Sequence, residues 1–341
     1  MENFAFDNNK YKELQKQEIY KRIQKYGKLY MEVGGKLFDD HHAARILPGF
    51  EPDVKMQIFK ELRSDLEIIF CINARDIITE KVRNDTGLTY DKETLRLVSC
   101  LKNEGLDVSA IMINLYEPAK KVLEFEEACK EQNLKVYKSY FIDNYPNDID
   151  HILSQDGFGR NDHIKTTKKI VLVSAPGANS GKLEVCLSQL YLDKLNGISS
   201  GYSKYETFPV WNLSLEHLVN IAYEMATADC QDKNMIDPFY KAAYNKIAVN
   251  YNRDIQAFPI LSKILNQING TEVYKSPTDM GINNVGNAII NDKEVARASM
   301  EEIERRYHKC LDDYKNHIAS ELTLKRCVEL YELAKEIYKK I

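Results

Sequence analysis

Five short apolar runs, separated by segments of helical periodicity, constrain the fold more than any other feature of this sequence. They cover residues 28–33, 67–73, 108–114, 134–142 and 169–174. Nearly continuous apolar character is typical of strands that are covered on both faces, as in a parallel sheet. Because helical segments separate the runs, we predict an α/β fold in which helices flank a mainly parallel sheet.

The pattern changes after about residue 215. Apolar residues keep helical spacing over 215–226 and 260–268, and two long helical patterns cover 292–319 and 321–341. We therefore predict an α/β domain over residues 1–215, followed by a mostly helical domain over residues 216–341.

Composition excludes several classes of protein. The 47 Lys and Arg residues against 51 Asp and Glu give a net charge of −4, so we expect neither nucleic acid nor a membrane surface as a partner. No run approaches the ~18 apolar residues of a membrane span. The seven cysteines are widely spaced without a C-x-x-C pair, which argues against a disulfide framework and predicts a cytoplasmic protein.

One segment has the features of a binding loop. An apolar strand at 170–174 runs into a turn of small residues that ends in Gly-Lys, and an amphipathic helix follows. This is the context of a phosphate-binding loop, because glycines let backbone N–H groups point inward while the helix start and the lysine add positive charge. We predict a phosphate or nucleotide site with Lys182 as the catalytic candidate and these binding residues: Gly177, Ala178, Asn179, Ser180, Gly181 and Lys182.

Two departures from the Walker A pattern bear on mechanism. Pro176 occupies the first glycine position, and Leu183 stands where a Ser or Thr would hold magnesium. Magnesium therefore needs another ligand, such as Asp76 or Asp143, or is absent. The alternative interpretation is a tight strand-to-helix turn that binds nothing and leaves Lys182 in solvent.

A second turn has a similar composition, because the first predicted strand runs into Gly34, Gly35 and Lys36. In open α/β sheets ligands bind beyond the carboxyl ends of the strands, so we expect both turns to face one crevice. Two arginines in polar loops, Arg160 and Arg253, are predicted as further anion contacts.

The residues that follow this second turn include metal-ligand types. Asp39, Asp40, His41 and His42 are adjacent in the sequence. Neighbouring residues of a helix point in different directions, so four in a row rarely converge on one ion. We therefore predict no metal site.

Seven ordered segments carry a resemblance to a known family. They are GGKLFDDHHAARILPGF, DLEIIFCINARDI, SAPGANSGKLEVCLSQLY, YETFPVWNL, NMIDPFY, AVNYNRDIQAFP and YKSPTDMGIN. Together they resemble the bacterial family known as domain of unknown function family 1846, from about residue 15 to at least residue 300. The resemblance implies a cytosolic protein with a small-residue turn at 174–182, in which Asn179 replaces the family's glycine and stiffens the loop. It also implies members longer than this chain, with a further C-terminal α/β portion.

These features lead to an expected function. We expect a protein that binds a small phosphorylated molecule, with ATP or GTP as the first candidates. If it is an enzyme, phosphoryl transfer is favoured, with Lys182 neutralising the phosphate charge. Two alternatives stay open: a non-catalytic ligand-sensing or scaffold protein, which Leu183 favours, and an enzyme that acts on a sugar phosphate without a nucleotide. The sequence leaves open whether the chain forms a homo-oligomer.

Overall fold

The computed structural model describes residues 4–34, 37–38, 40–83, 86–206 and 209–341. Its strands are β1 Leu29–Val33, β2 Leu66–Asn73, β3 Val108–Asn114, β4 Val136–Lys138, β5 Ile170–Ser174, β6 Gly201–Tyr205, β7 Asn234–Ile236, β8 Val249–Tyr251 and β9 Gly281–Ile282.

Helices fill most of the remaining chain. They are α1 Asn8–Tyr26, α2 His41–Ile46, α3 Val54–Glu61, α4 Ala74–Ile78, α5 Tyr90–Asn103, α6 Lys120–Glu131, α7 Ile149–Ile152, α8 Lys182–Leu195, α9 Leu218–Ala226, α10 Pro238–Tyr244, α11 Asn252–Asn269, α12 Val285–Ala288, α13 Asp292–Lys315 and α14 Glu321–Tyr338. Local signals explain several of their ends. The Asp7 side chain accepts a hydrogen bond from the backbone N–H of Lys10 at the start of α1, and Gly27, with φ 80°, ends that helix.

The main sheet is parallel, as predicted. Seven of the described strands form it in the order β4-β3-β2-β5-β1-β6-β9. Each of the five apolar runs overlaps one of its strands, although the run at 134–142 forms a strand only at Val136–Lys138. Strands β6 and β9 were not predicted, because β6 (GYSKY) lacks an apolar run and β9 has only two residues.

Two buried cores lie on opposite faces of this sheet. Ile170 and Leu172 of β5 lie in the first core, whereas Val171 and Val173 lie in the second. Residues of α2 and α3 pack in the first core, and residues of α8 and α11 pack in the second. The alternation explains why the strands read as continuous apolar runs, since each residue is buried whichever face it points to.

The region after residue 216 is mostly helical, as predicted, and it shares both cores with the sheet. Val219 of α9, Ile303 of α13 and Leu330 of α14 belong to the first core, and Leu261 of α11 belongs to the second. In addition, β9 extends the sheet beside β6. The division into two domains at residues 215 and 216 stays a prediction.

Within the described ranges, no helix combines the length and the apolar character that crossing a membrane requires. All seven cysteines are free thiols, and those at 71, 129, 186, 310 and 327 are buried. Buried thiols act here as small apolar side chains. The cytoplasmic location stays a prediction.

Candidate functional site

The carboxyl ends of β1 and β5 lie side by side, because these strands pair along their length. From β1 the chain continues to α2 and α3 on the first core, whereas from β5 it continues to α8 on the second. Loops that leave neighbouring strands toward opposite faces open a crevice, which is where ligands bind in open α/β sheets. The two glycine-lysine turns therefore follow neighbouring strands of the sheet.

The loop after β5 has a distinctive backbone conformation. Asn179 and Gly181 adopt positive φ angles of 60° and 85°. Ser180 between them is buried, and its hydroxyl group donates a hydrogen bond to the carbonyl oxygen of Gly177 at 3.1 Å. Ala178 and Asn179 are exposed and form the tip of the loop.

The backbone N–H groups of this loop are free. In the part of the chain that the structure describes, those from Gly177 to Glu184 make no hydrogen bond. The first N–H group that enters the helical pattern is that of Val185, which donates to Gly181 O at 3.0 Å. Free N–H groups at the start of a helix attract negatively charged oxygens.

Two glycines of the loop lie against side chains from other strands and helices. A Cβ atom at Gly177 would lie 2.3 Å from the hydroxyl oxygen of Tyr90, at the start of α5. A Cβ atom at Gly181 would lie 2.3 Å from Asn114 Nδ2, and that nitrogen donates to Ser180 O at 2.6 Å. Both positions therefore need glycine, because larger side chains would displace the loop from its supports.

Lys182 opens α8, and its ammonium group has no hydrogen bond or ion pair with any described residue. Its side chain is partly buried. Burial raises the pKa of the Cys71 thiol to about 12, and the Lys182 charge acts in the opposite direction. The ammonium group is thus within electrostatic reach of the end of β2.

Two carboxyl groups approach the same region, Glu32 from β1 and Glu184 from the first turn of α8. Burial raises the pKa of Tyr145, and the carboxylates of Glu184 and Glu32 raise it further, so both lie within electrostatic reach of that phenol. Tyr202 donates a hydrogen bond to Glu32 Oε2 at 2.7 Å. Neither carboxyl group forms an ion pair with a described Lys, Arg or His residue.

Glu184 is held by neutral polar groups. Asn161 Nδ2 donates to Glu184 Oε1 at 2.8 Å, and Ser139 Oγ lies 3.2 Å from Glu184 Oε2. Burial raises the pKa of Glu184 to about 7, while its hydrogen bonds with Ser139 and Asn161 act in the opposite direction. A carboxyl group with this pKa can exchange a proton near neutral pH.

The structure gives the other predicted binding residues different surroundings. Arg160 is exposed, lies 5.4 Å from the centre of the Tyr140 ring, and has no carboxylate partner in the described chain. Arg253 is ion-paired with Asp232 at 3.2 Å, so its charge is already compensated.

The second glycine-lysine turn is described only in part. The N–H group of Gly34 donates to Tyr205 O at 2.9 Å and is not free for a ligand. A Cβ atom at Gly34 would lie 2.7 Å from Glu206 O, so this glycine allows β1 and β6 to approach closely. Gly35 and Lys36 lie outside the described residues.

The alternative of a metal site after this turn gains no support. Asp40 caps α2 and pairs with Lys55 at 2.8 Å, and His42 Nδ1 lies 3.1 Å from Glu302 Oε1. Asp39 lies outside the described residues. Across the described ranges, no group of three or more His, Cys, Asp or Glu side chains could hold a metal ion.

Several residues around the loop were not predicted from the sequence. Glu32 could have been recognised as a charged residue inside an apolar strand, and Asn114 as a polar residue that ends one. Ser139 and Asn161 carry no comparable signal, because only the fold brings them to Glu184.

Comparisons with known proteins show the family. The model described as "Domain of unknown function DUF1846, N-terminal" matches residues 4–335. A UPF0371 protein of Streptococcus equi subsp. zooepidemicus (strain H70) is 50% identical over 327 residues, which cover 96% of this chain and 65% of that protein. UPF0371 proteins of Streptococcus pyogenes serotype M28 and of Streptococcus uberis are each 48% identical over 327 residues, covering 96% of this chain and 66% of theirs. The chain thus spans about two thirds of the length of these curated relatives. Together with the predicted resemblance, these matches show that the chain belongs to the DUF1846 family.

Proposed function

We propose that the chain binds a phosphorylated ligand at the loop of residues 176–182, with a nucleotide as the first candidate. The observation that carries the proposal concerns the described residues: among them, neither the N–H groups from Gly177 to Glu184 nor the ammonium group of Lys182 has a partner. These donors follow β5 beside β1, where the connections after the two strands pass to opposite faces of the sheet. Phosphate groups bind at such positions in open α/β sheets.

The lack of an ion pair at Lys182 supports this proposal. Three largely buried lysines elsewhere have carboxylate partners: Lys28 with Asp193 at 3.2 Å, Lys55 with Asp40 at 2.8 Å and Lys204 with Asp254 at 2.6 Å. Removing a charge from water is costly unless another charge or hydrogen bonds compensate it. A partly buried lysine without such a partner suits a ligand that brings its own negative charge.

Phosphoryl transfer is the reaction that this site would support if the protein is an enzyme. Lys182 and the loop N–H groups would stabilise the charge that develops on the phosphate oxygens. Leu183 favours the alternative of a non-catalytic sensor or scaffold, since it packs against the second core and offers no oxygen to magnesium. Asp76, one of the acidic residues considered as a magnesium ligand, pairs with Lys81 at 3.3 Å.

Thermal unfolding tests the proposal. The protein is heated with ATP, GTP, inorganic phosphate or sugar phosphates, each with and without magnesium. A ligand at about 100 times its dissociation constant adds roughly 2.7 kcal/mol of stability, which raises the unfolding temperature by several degrees. The Lys182→Ala variant should lose most of this shift, and a requirement for magnesium would favour a transferase over a sensor.

The matched control is Lys194→Ala, at the other end of the same helix. Lys194 is exposed and donates to Gln267 O at 2.8 Å. Its replacement by alanine removes the same charge as Lys182→Ala without changing the loop. We expect this variant to keep the full ligand shift. Equal shifts in wild type and Lys182→Ala, or no shift with any ligand, would contradict the proposal.

A further inference from the structure

A chain of hydrogen-bonding groups connects the loop to Glu184. It runs from Ser180 O to Asn114 Nδ2 at 2.6 Å, from Asn114 Oδ1 to Ser139 Oγ at 3.0 Å, and from Ser139 Oγ to Glu184 Oε2 at 3.2 Å. Asn114 and Ser139 are both buried, so water does not replace these contacts. Ser180 and Glu184, the two ends of this hydrogen-bonding chain, are close in sequence, but the hydrogen bonds that connect them pass through β3 and the segment after β4.

The donors and acceptors of this chain can be assigned one by one. Ser180 O only accepts, so the amide nitrogen of Asn114 faces it and Asn114 Oδ1 faces Ser139. The hydroxyl group of Ser139 has a single proton, and Asn114 Oδ1 and Glu184 Oε2 both lie within reach of it. When Ser139 donates this proton to Asn114, its oxygen can only accept, so its contact with Glu184 is satisfied when Glu184 supplies a proton.

The second oxygen of Glu184 fits the same assignment. The backbone N–H group of Tyr140 donates to Asn161 Oδ1 at 2.9 Å, which turns Asn161 Nδ2 toward Glu184. Asn161 Nδ2 then donates to Glu184 Oε1 at 2.8 Å. With Ser139 bonded to Asn114, one oxygen of Glu184 therefore accepts and the other donates, as in a neutral carboxylic acid.

We propose that neutral Glu184 is a positioning residue for the phosphate-binding loop and holds it in its binding form through Ser139 and Asn114. This inference rests on the proposed function. An ionised Glu184 would compete with Asn114 for the single proton of Ser139 and would weaken the support of Ser180. Ligand binding and protonation of Glu184 are therefore linked, so binding of an anion takes up a proton.

Charged and titratable groups surround Glu184 in the described part of the structure. They are Lys182 on α8, Glu32 on β1, Cys71 on β2, Cys186 on α8 and Tyr145 after β4. The pKa of Glu184 itself is raised by burial and lowered by its hydrogen bonds with Ser139 and Asn161. Its protonation therefore depends on the hydrogen-bonding chain that leads to the loop.

The linkage fixes the sign of the pH dependence. Burial raises the pKa of Glu184 to about 7, so the residue is mostly neutral at pH 6 and mostly ionised at pH 8. If the bound form requires the neutral acid, affinity falls by up to about tenfold between these pH values. Affinity should be constant well below pH 6.

Isothermal titration calorimetry with sulfate tests the inference, because sulfate does not change its charge between pH 6 and pH 8. Wild type should bind sulfate about tenfold more weakly at pH 8 than at pH 6. Buffers with different ionisation enthalpies should reveal uptake of up to one proton at pH 8. The Glu184→Gln variant keeps one donor and one acceptor, so it should bind with the same affinity at both pH values.

A second variant, Ser139→Ala, keeps the Glu184 carboxyl group but interrupts the chain, and it should also lose the pH dependence. It serves as the test if Glu184→Gln does not fold. A pH-independent affinity in wild type, or a wild-type pH dependence in either variant, would overturn the inference and leave phosphate binding intact. If wild type binds neither sulfate nor phosphate at any pH, the proposed function is overturned instead, and this inference with it.

Discussion

Gly177 is a residue of the loop at which a single added carbon atom should have a measurable effect. A Cβ atom there would lie 2.3 Å from the hydroxyl oxygen and 2.8 Å from Cζ of Tyr90, which is itself buried. We expect Gly177→Ala to lower the free energy of unfolding by about 1–3 kcal/mol, the usual range for overpacking, and to weaken ligand binding. Urea denaturation and the thermal shift with ligand measure the two effects.

A double-mutant cycle with Tyr90→Leu provides the control for this prediction. Leucine removes the hydroxyl group that Gly177→Ala would meet, so the alanine should cost less in that background. The coupling free energy should exceed about 0.5 kcal/mol, because the two residues are in contact. Additive costs would show that the loop needs Gly177 for some reason other than Tyr90.

At the scale of elements, the buried carboxylate of Glu302 connects α2 and α13. It accepts hydrogen bonds from Arg45 of α2 at 2.8 Å and from Arg305 and Arg306 of its own helix at 2.7 Å and 2.8 Å. His42 Nδ1 lies 3.1 Å from it. Although burial alone would raise the pKa of Glu302, hydrogen bonds from the surrounding cations hold this pKa well below 4.5.

We expect Glu302→Gln to reduce the free energy of unfolding at pH 7 by about 1–3 kcal/mol. This is less than the 3–5 kcal/mol for breaking a fully buried pair, because Arg45 and Arg305 are 42% and 48% exposed. A carboxyl group with a lowered pKa stabilises the fold above its ordinary pKa and loses this contribution as pH falls below about 4.5. The difference between wild type and variant should therefore shrink from pH 5 to pH 3 in urea unfolding.

The neighbouring exposed carboxylate gives the control. Glu301 pairs with Arg297 on the same helix and is 64% exposed. Glu301→Gln should change stability by less than about 0.5 kcal/mol at any of these pH values. A Glu302→Gln penalty that stays constant down to pH 3 would show that packing of the side chain, and not its charge, matters.

The sequence predicts those strands that have an apolar run, whether or not the strand is fully buried: β4 is only partly buried and was predicted, whereas β6 is mostly buried and was not. The run at 108–114 corresponds residue for residue to Val108–Asn114, whereas β6 is formed by Gly201–Tyr205, which has no apolar run. Strand order could not be predicted, because the insertion of β5 between β2 and β1 depends on which helices cover which face. The loop at 176–182 was predictable from its glycines and Lys182, but its supports Tyr90, Asn114 and Ser139 are remote in sequence.

At the scale of the whole molecule, the helical region after residue 216 is joined to the sheet by more than packing. Arg22 of α1 donates to the carbonyl oxygens of Asp279 at 2.9 Å and Gly281 at 2.8 Å, beside the last strand of the sheet. It also donates to Ser203 Oγ of β6 at 2.8 Å. One side chain from the start of the chain thus connects the sheet to the segment that forms β9.

These shared cores and contacts predict that the chain unfolds as one cooperative unit, although residues 1–215 and 216–341 differ in pattern. Trp211 is the single tryptophan of the sequence, and its indole N–H donates to Asn283 O at 2.9 Å, so its fluorescence reports on the contact between the two regions. Circular dichroism reports on helices throughout the chain. In urea the two signals should give one midpoint and one slope, because neither region can lose its side of a shared core independently. A Trp211 transition at a separate urea concentration, with a two-step dichroism curve, would show two independently folding domains.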